Sequence, residues 1–257
     1  MRAKRGNPYI KMHSICGLPR PLRCVLGPRN DMTFILELWW NTKYSTNMPQ
    51  FFIPSKEQMS PVARDYSETA RYLGYQKLNV PDEQISKMIE VAASELLEII
   101  KPQAVFERFD LQVEYKEEQG LGKVCFSDVT VLSKDLARNL NGCNQVVLFA
   151  ATLGAQCDQQ IHRWQIKDPA KAAVLQASGA MYIEKCVDLL NEKIRLEAEA
   201  LGQKVRPRYS PGYGDLSLEV QKDFFRLLPC QRIGLSLMDT LIMSPEKSVT
   251  AFIGIKA

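Results

Sequence analysis

The sequence predicts an α+β fold in which a mainly antiparallel sheet packs with long helices. Three observations carry that expectation. Strand-like runs gather at 106–115, 124–126, 129–132 and 145–153, a helical tract fills 155–201 with one break, and two more strand-like runs follow at 235–243 and 249–255. Strands and helices are therefore segregated along the chain, whereas a doubly wound sheet alternates them.

Residues 1–62 read as a leader. Pro8, Pro19, Pro21, Pro28, Pro49, Pro54 and Pro61 break every periodicity there, and one apolar run, 32–40, stands alone. This stretch carries a net charge of +6 and the remainder −2. It reads as mostly disordered or as sequence upstream of a misplaced start, with a cationic arm for an acidic partner as the sharper alternative. A single folded domain is expected over 63–257.

Within that domain, Pro81-Asp82-Glu83 opens a helix whose apolar residues Ile85, Met88, Ile89, Ala92, Leu96, Ile99 and Ile100 recur at three and four, and Pro102 ends it. Phe109, Leu111, Val113 and Tyr115 alternate as one face of a strand, and Gly120-Leu121-Gly122 turns the chain into the next two. Ser133 is placed to cap a short helix closing at Gly142. The continuous apolar run 145–153 fits a strand buried on both faces. Helices at 155–166 and 170–201 follow, then a loop at 206–215, a helix at 218–228 stopped by Pro229, and a terminal hairpin joined through Ser244-Pro245-Glu246-Lys247.

Composition excludes several classes of function. No apolar stretch approaches the roughly 20 residues of a membrane span, and a nearly neutral domain argues against a nucleic-acid surface. The seven cysteines (Cys16, Cys24, Cys125, Cys143, Cys157, Cys186 and Cys230) form no C-x-x-C pair, which fits a reducing, cytoplasmic setting and no zinc site. His13 and His162 are the only histidines, and His162 reads as a surface residue on a helix. Phosphate-binding glycine loops and H-E-x-x-H are missing. No catalytic residue and no metal ligand is therefore assigned.

Two candidates for binding remain. In Arg208-Tyr209-Ser210-Pro211-Gly212-Tyr213-Gly214-Asp215 two glycines flank a tyrosine after a proline, so backbone can approach a ligand while Tyr213 offers a ring and Arg208 a planar donor for a carboxylate. A tight surface loop explains the same residues. Glu184 extends the small-residue stripe Ala173, Ala177 and Ala180, with Asp188, Asn191 and Arg195 on the same face downstream. An exposed glutamate at the edge of the stripe is the plainer reading.

The loop resembles the activation domain of cobalamin-dependent methionine synthase, whose signature R-x-x-x-G-Y stands here as Arg208-Tyr209-Ser210-Pro211-Gly212-Tyr213. Residues 148–154 are similar to that family's buried strand, and 233–235 with 242–245 to its terminal segment, so the resemblance spans about 66–257. It implies a free-standing short form that binds S-adenosylmethionine and supports reductive methylation of cob(II)alamin. The cobalamin would be supplied by a methionine synthase lacking its own activation domain, and the electron by a donor such as flavodoxin or ferredoxin.

Carried over by residue, Arg208 would pair with the ligand carboxylate, and the Ser210 and Gly212 backbones would line its adenosine and methionine portions. Tyr213 would stand at the corrin-facing mouth, and Glu184 would balance the ammonium or sulfonium. Gly202 replaces an acidic residue of the family pattern, and the family's ligand tyrosine falls beyond Ala257. Two alternatives follow from the resemblance: a non-catalytic cap that docks on a corrinoid domain, or a reactivator of another corrinoid methyltransferase.

Overall fold

A computed structural model of the chain describes residues 48–257 apart from Lys77. His13, Cys16, Cys24, the 32–40 run and most of the stretch read as a leader lie outside the described residues. Two short elements nonetheless fall N-terminal of residue 63. Strand β1 (Gln50–Phe52) adds to the sheet, and helix α1 (Lys56–Met59) is closed by a reciprocal cap between Ser55 and Gln58 and buries Met59. Pro49 and Pro54 bracket the strand without interrupting its three-residue ladder, which is why proline spacing concealed it.

The remaining elements follow largely as the periodicity indicates. Helix α2 (Ala63–Tyr72) and helix α3 (Glu83–Ile99) come first, and Asp82 caps the latter by accepting from the Ile85 N–H. Strand β2 (Gln103–Lys116), strand β3 (Leu121–Phe126) and strand β4 (Val129–Leu132) form a meander, and helix α4 (Lys134–Asn139) starts at Ser133. Strand β5 (Gln145–Thr152) leads into helix α5 (Ala155–Lys167) and the 32-residue helix α6 (Pro169–Ala200). Strand β6 (Lys204–Val205), helix α7 (Gln221–Leu227), the small strands β7 (Ser236–Leu237) and β8 (Met243–Ser244), and strand β9 (Ser248–Lys256) complete the chain.

All pairings are antiparallel, in the order β4-β3-β2-β5-β9-β6 with β1 beside β2. The long strand β2 serves two partners, pairing through residues 103–110 with β5 and through 111–116 with β3. Alternation along β5 and β9 splits the core in two. Val147, Phe149, Ala151, Ala251 and Ile253 face α3 and α6, while Val146, Leu148, Ala150 and Phe252 face α4 and α7. Helices cover both faces, which accounts for the apolar stretch of β5 from Val146 to Ala151.

The expected terminal hairpin is not formed. Residues 236–237 pair with 243–244 as a separate ribbon, and β9 pairs with β5 and β6 instead. An apolar run shows that a segment is buried but does not name its partner, and the Ser244-Pro245 break imitates a hairpin turn. On α6, Tyr182 is fully buried and donates to the Ala93 carbonyl at 2.8 Å, tying this helix to α3. Cys143, Cys157, Cys186 and Cys230 are buried free thiols, and burial pushes Cys157 up to about 12. Such thiols pack as small apolar groups. No helix among the described residues is long and apolar enough to cross a membrane.

Candidate functional site

The segment after β6 runs along the outer edge of β9. The Arg206 N–H donates to the Gly254 carbonyl at 2.8 Å, and Tyr209 exchanges two backbone hydrogen bonds with Phe252 at 2.9 and 2.8 Å. Pairing on that side stops there, and residues 248–250 border a cleft of about 370 Å³. Glu184, Arg208, Tyr209, Ser210, Pro211 and Tyr213 line it from one part of the chain, and Gln221, Met243 and Thr250 from another.

Four of the five residues singled out in the sequence thus meet at one hollow: Glu184, Arg208, Ser210 and Tyr213. Gly212 is not in the wall. Its N–H donates to the Leu216 carbonyl at 2.9 Å, and its φ of +89° with Leu218 packed alongside makes the turn that places its neighbours. Ser210 accepts the Tyr213 N–H through its backbone carbonyl at 3.4 Å. Tyr213 is 68% exposed at the rim, and the Tyr209 hydroxyl donates to its carbonyl.

Arg208 is the electrostatic centre. Its Nη1 donates to Asp188 at 2.7 Å and its Nη2 to Glu184, two carboxylates one turn apart on α6. Burial opposes the guanidinium charge, but bonding to Asp188 and the nearby charges of both acids outweigh it and raise its pKa above the ordinary value. Two acids against one base leave the cluster with a charge of −1. Glu184 is only partly buried, at the margin where the α6 stripe leaves the core: Ala177 is buried, Ala180 half-buried and Ala173 exposed. Both sequence readings of Glu184 therefore describe the same position. His162 is more than half exposed on α5, with Glu246 at 4.0 Å.

The sequence matches no protein-family model, and no curated protein matches it. A solved structure does. The crystal structure of the MetH reactivation domain bound to AdoHcy superposes with a TM-score of 0.55 at 16% identity, covering 80% of this chain and 78% of that one. This chain has the reactivation-domain fold.

Within the reactivation-domain fold, Asp215 fixes the far end of the loop. Its carboxylate accepts from the Ser133 hydroxyl, from the Lys134 N–H at 2.7 Å and from the Asp135 N–H at 3.2 Å, capping α4 from 80 residues away. Burial pushes this carboxyl up, but those hydrogen bonds outweigh it and hold it below its ordinary value. Its stabilising effect is therefore complete above its unfolded pKa of about 3.9 and is lost as pH falls through the lower folded value. Asp215→Ala is expected to lower the unfolding free energy by about 1–2 kcal/mol at pH 7, the range of a lost helix cap. Urea unfolding at pH 7 and pH 3 checks this, since the gap between the two proteins should narrow in acid.

Sequence reasoning missed Asp188, Gln221, Met243 and Thr250 as parts of this site. Asp188 carried a signal, being four residues after Glu184 on the same face. The other three reach the cleft only through the placement of α7, β8 and β9, which no local pattern announces.

Proposed function

We propose that the cleft beside Arg208 binds S-adenosylmethionine and that the protein presents its methyl group to a corrinoid held by a cobalamin-dependent methionine synthase, restoring that enzyme after oxidation. What supports the reading is the meeting of a guanidinium, a carboxylate and a glycine-bent loop at one hollow of ligand size. The AdoHcy bound to the structurally similar domain is the same kind of ligand without its methyl group.

In this reading Arg208 takes the ligand carboxylate. Two of its five N–H donors serve Glu184 and Asp188, and the remainder suit a planar oxyanion. Glu184 balances the ammonium or sulfonium, the Ser210 backbone bounds the adenosine and methionine portions while Gly212 acts only through the turn that places its neighbours, and Tyr213 stands at the mouth where a corrinoid would dock. The nucleophile belongs to the partner's cobalamin, and the electron comes from a donor such as flavodoxin or ferredoxin. This chain's own task is to hold and aim the ligand.

Calorimetric titration of the full chain with S-adenosylmethionine is expected to give saturable one-site heat. The second reading, a docking cap that holds no nucleoside, draws on the acids that already engage Arg208. A flat isotherm, with and without a corrinoid partner, would favour it. Methylation of cob(II)alamin reconstituted with methionine synthase and with other corrinoid methyltransferases separates the possible partners.

A further inference from the structure

The cleft has two sides of different chemistry. Arg208 and Glu184 stand on the α6 side of the sheet, and Gln221, the first residue of α7, stands on the other. Gln221 is 6% exposed, beside the buried Val220 and Phe224, and its Oε1 has no hydrogen-bond partner. Eight buried side-chain polar atoms among the described residues lack a partner, and Gln221 alone among their residues lines the cleft. A buried acceptor left unpaired opposes folding unless a partner arrives. A glutamine at this position costs stability that an apolar residue of the same length would not.

We propose that Gln221 reads the nucleoside of the ligand in this cleft, its carboxamide oxygen accepting from an N–H or O–H that the ligand supplies. The inference rests on the S-adenosylmethionine reading above. With the amino-acid end held at Arg208, the nucleoside extends toward the α7 side. Oε1 is covered, and the terminal torsion of the carboxamide is broad, so a partial turn presents it. Thr250, 2% exposed, stands in the same wall.

The test uses the full chain and Gln221→Met, which keeps length and apolar packing and removes the acceptor. Each is titrated with S-adenosylmethionine and with analogues lacking the purine 6-amino group, the ribose 2′-hydroxyl or the ribose 3′-hydroxyl. Gln221→Met is expected to bind S-adenosylmethionine about tenfold more weakly, while its ligand-free urea midpoint stays equal or rises. One analogue should lose a similar factor on the wild type and nothing further on Gln221→Met, and that analogue names the donor. Equal affinity of the two proteins, or a wild type indifferent to all three analogues, overturns the proposal while leaving the cleft's function standing. Indifference of the wild type to all three analogues overturns the proposal even if Gln221→Met fails to fold. No heat from S-adenosylmethionine with the wild type overturns the functional reading itself.

Discussion

Arg208→Ala is expected to weaken S-adenosylmethionine binding by at least about 30-fold, corresponding to roughly 2 kcal/mol for a lost charge-assisted contact. Its fold should survive. Arg208, Glu184 and Asp188 have side chains 28%, 40% and 55% exposed, so water compensates much of the broken ion pairs, and the two acids left facing each other on α6 repel by only a few tenths of a kcal/mol. Calorimetry and urea unfolding on one preparation check both halves. Arg208→Lys sharpens the result: it retains the charge without the planar fork, so its affinity should fall between those of the wild type and Arg208→Ala. Unchanged affinity in the alanine variant would remove the residue from ligand binding.

Phe252→Ala is expected to produce the largest loss of stability, about 3–5 kcal/mol. Phe252 is fully buried, and its ring meets Phe224 edge-on at 4.7 Å and Phe126 at 5.6 Å. Those rings belong to α7 and β3, so one side chain joins the helix that carries Gln221 to the middle of the sheet. The same residue's backbone holds Tyr209. Truncation opens a cavity where three aromatic rings meet and few neighbours can collapse into it. A fall in thermal midpoint of roughly 6–20 °C is expected for a domain of this size, and a fall of only a degree or two would show that the aromatic cluster repacks.

Much of the fold was legible because the local signals agreed with the global one. Asp82 and Ser133 cap helices as their positions indicate, and the unbroken apolar run of β5 is explained by two helix layers. What escaped was long-range. Strand β9 is an apolar run that any buried strand could present, and only the three-dimensional arrangement shows that its partners are β5, 96 or more residues earlier in the chain, and the segment around Tyr209. The short strand β1 is held by β2 and has no periodicity of its own to display.

The candidate site divides in the same way. Arg208, Ser210 and Tyr213 were visible because one loop carries unusual chemistry in consecutive residues, and Glu184 because an acid at the end of an alanine stripe is out of place. Asp215 read as nothing more than the loop's last residue, although it is the latch on α4. Gln221 gave no sign in the sequence. A single glutamine beginning a short helix is ordinary until its burial and missing partner are known.

Two carboxylates set against one guanidinium also have a bearing on turnover. A sulfonium within about 4 Å of a surplus negative charge is favoured over the neutral thioether by about 1 kcal/mol even at the dielectric of bulk water. If the cleft holds S-adenosylmethionine as proposed, the ligand that has given up its methyl group would have lost the charge that this surplus attracts. On that reading the demethylated ligand would bind roughly fivefold more weakly than S-adenosylmethionine, with no movement of the backbone.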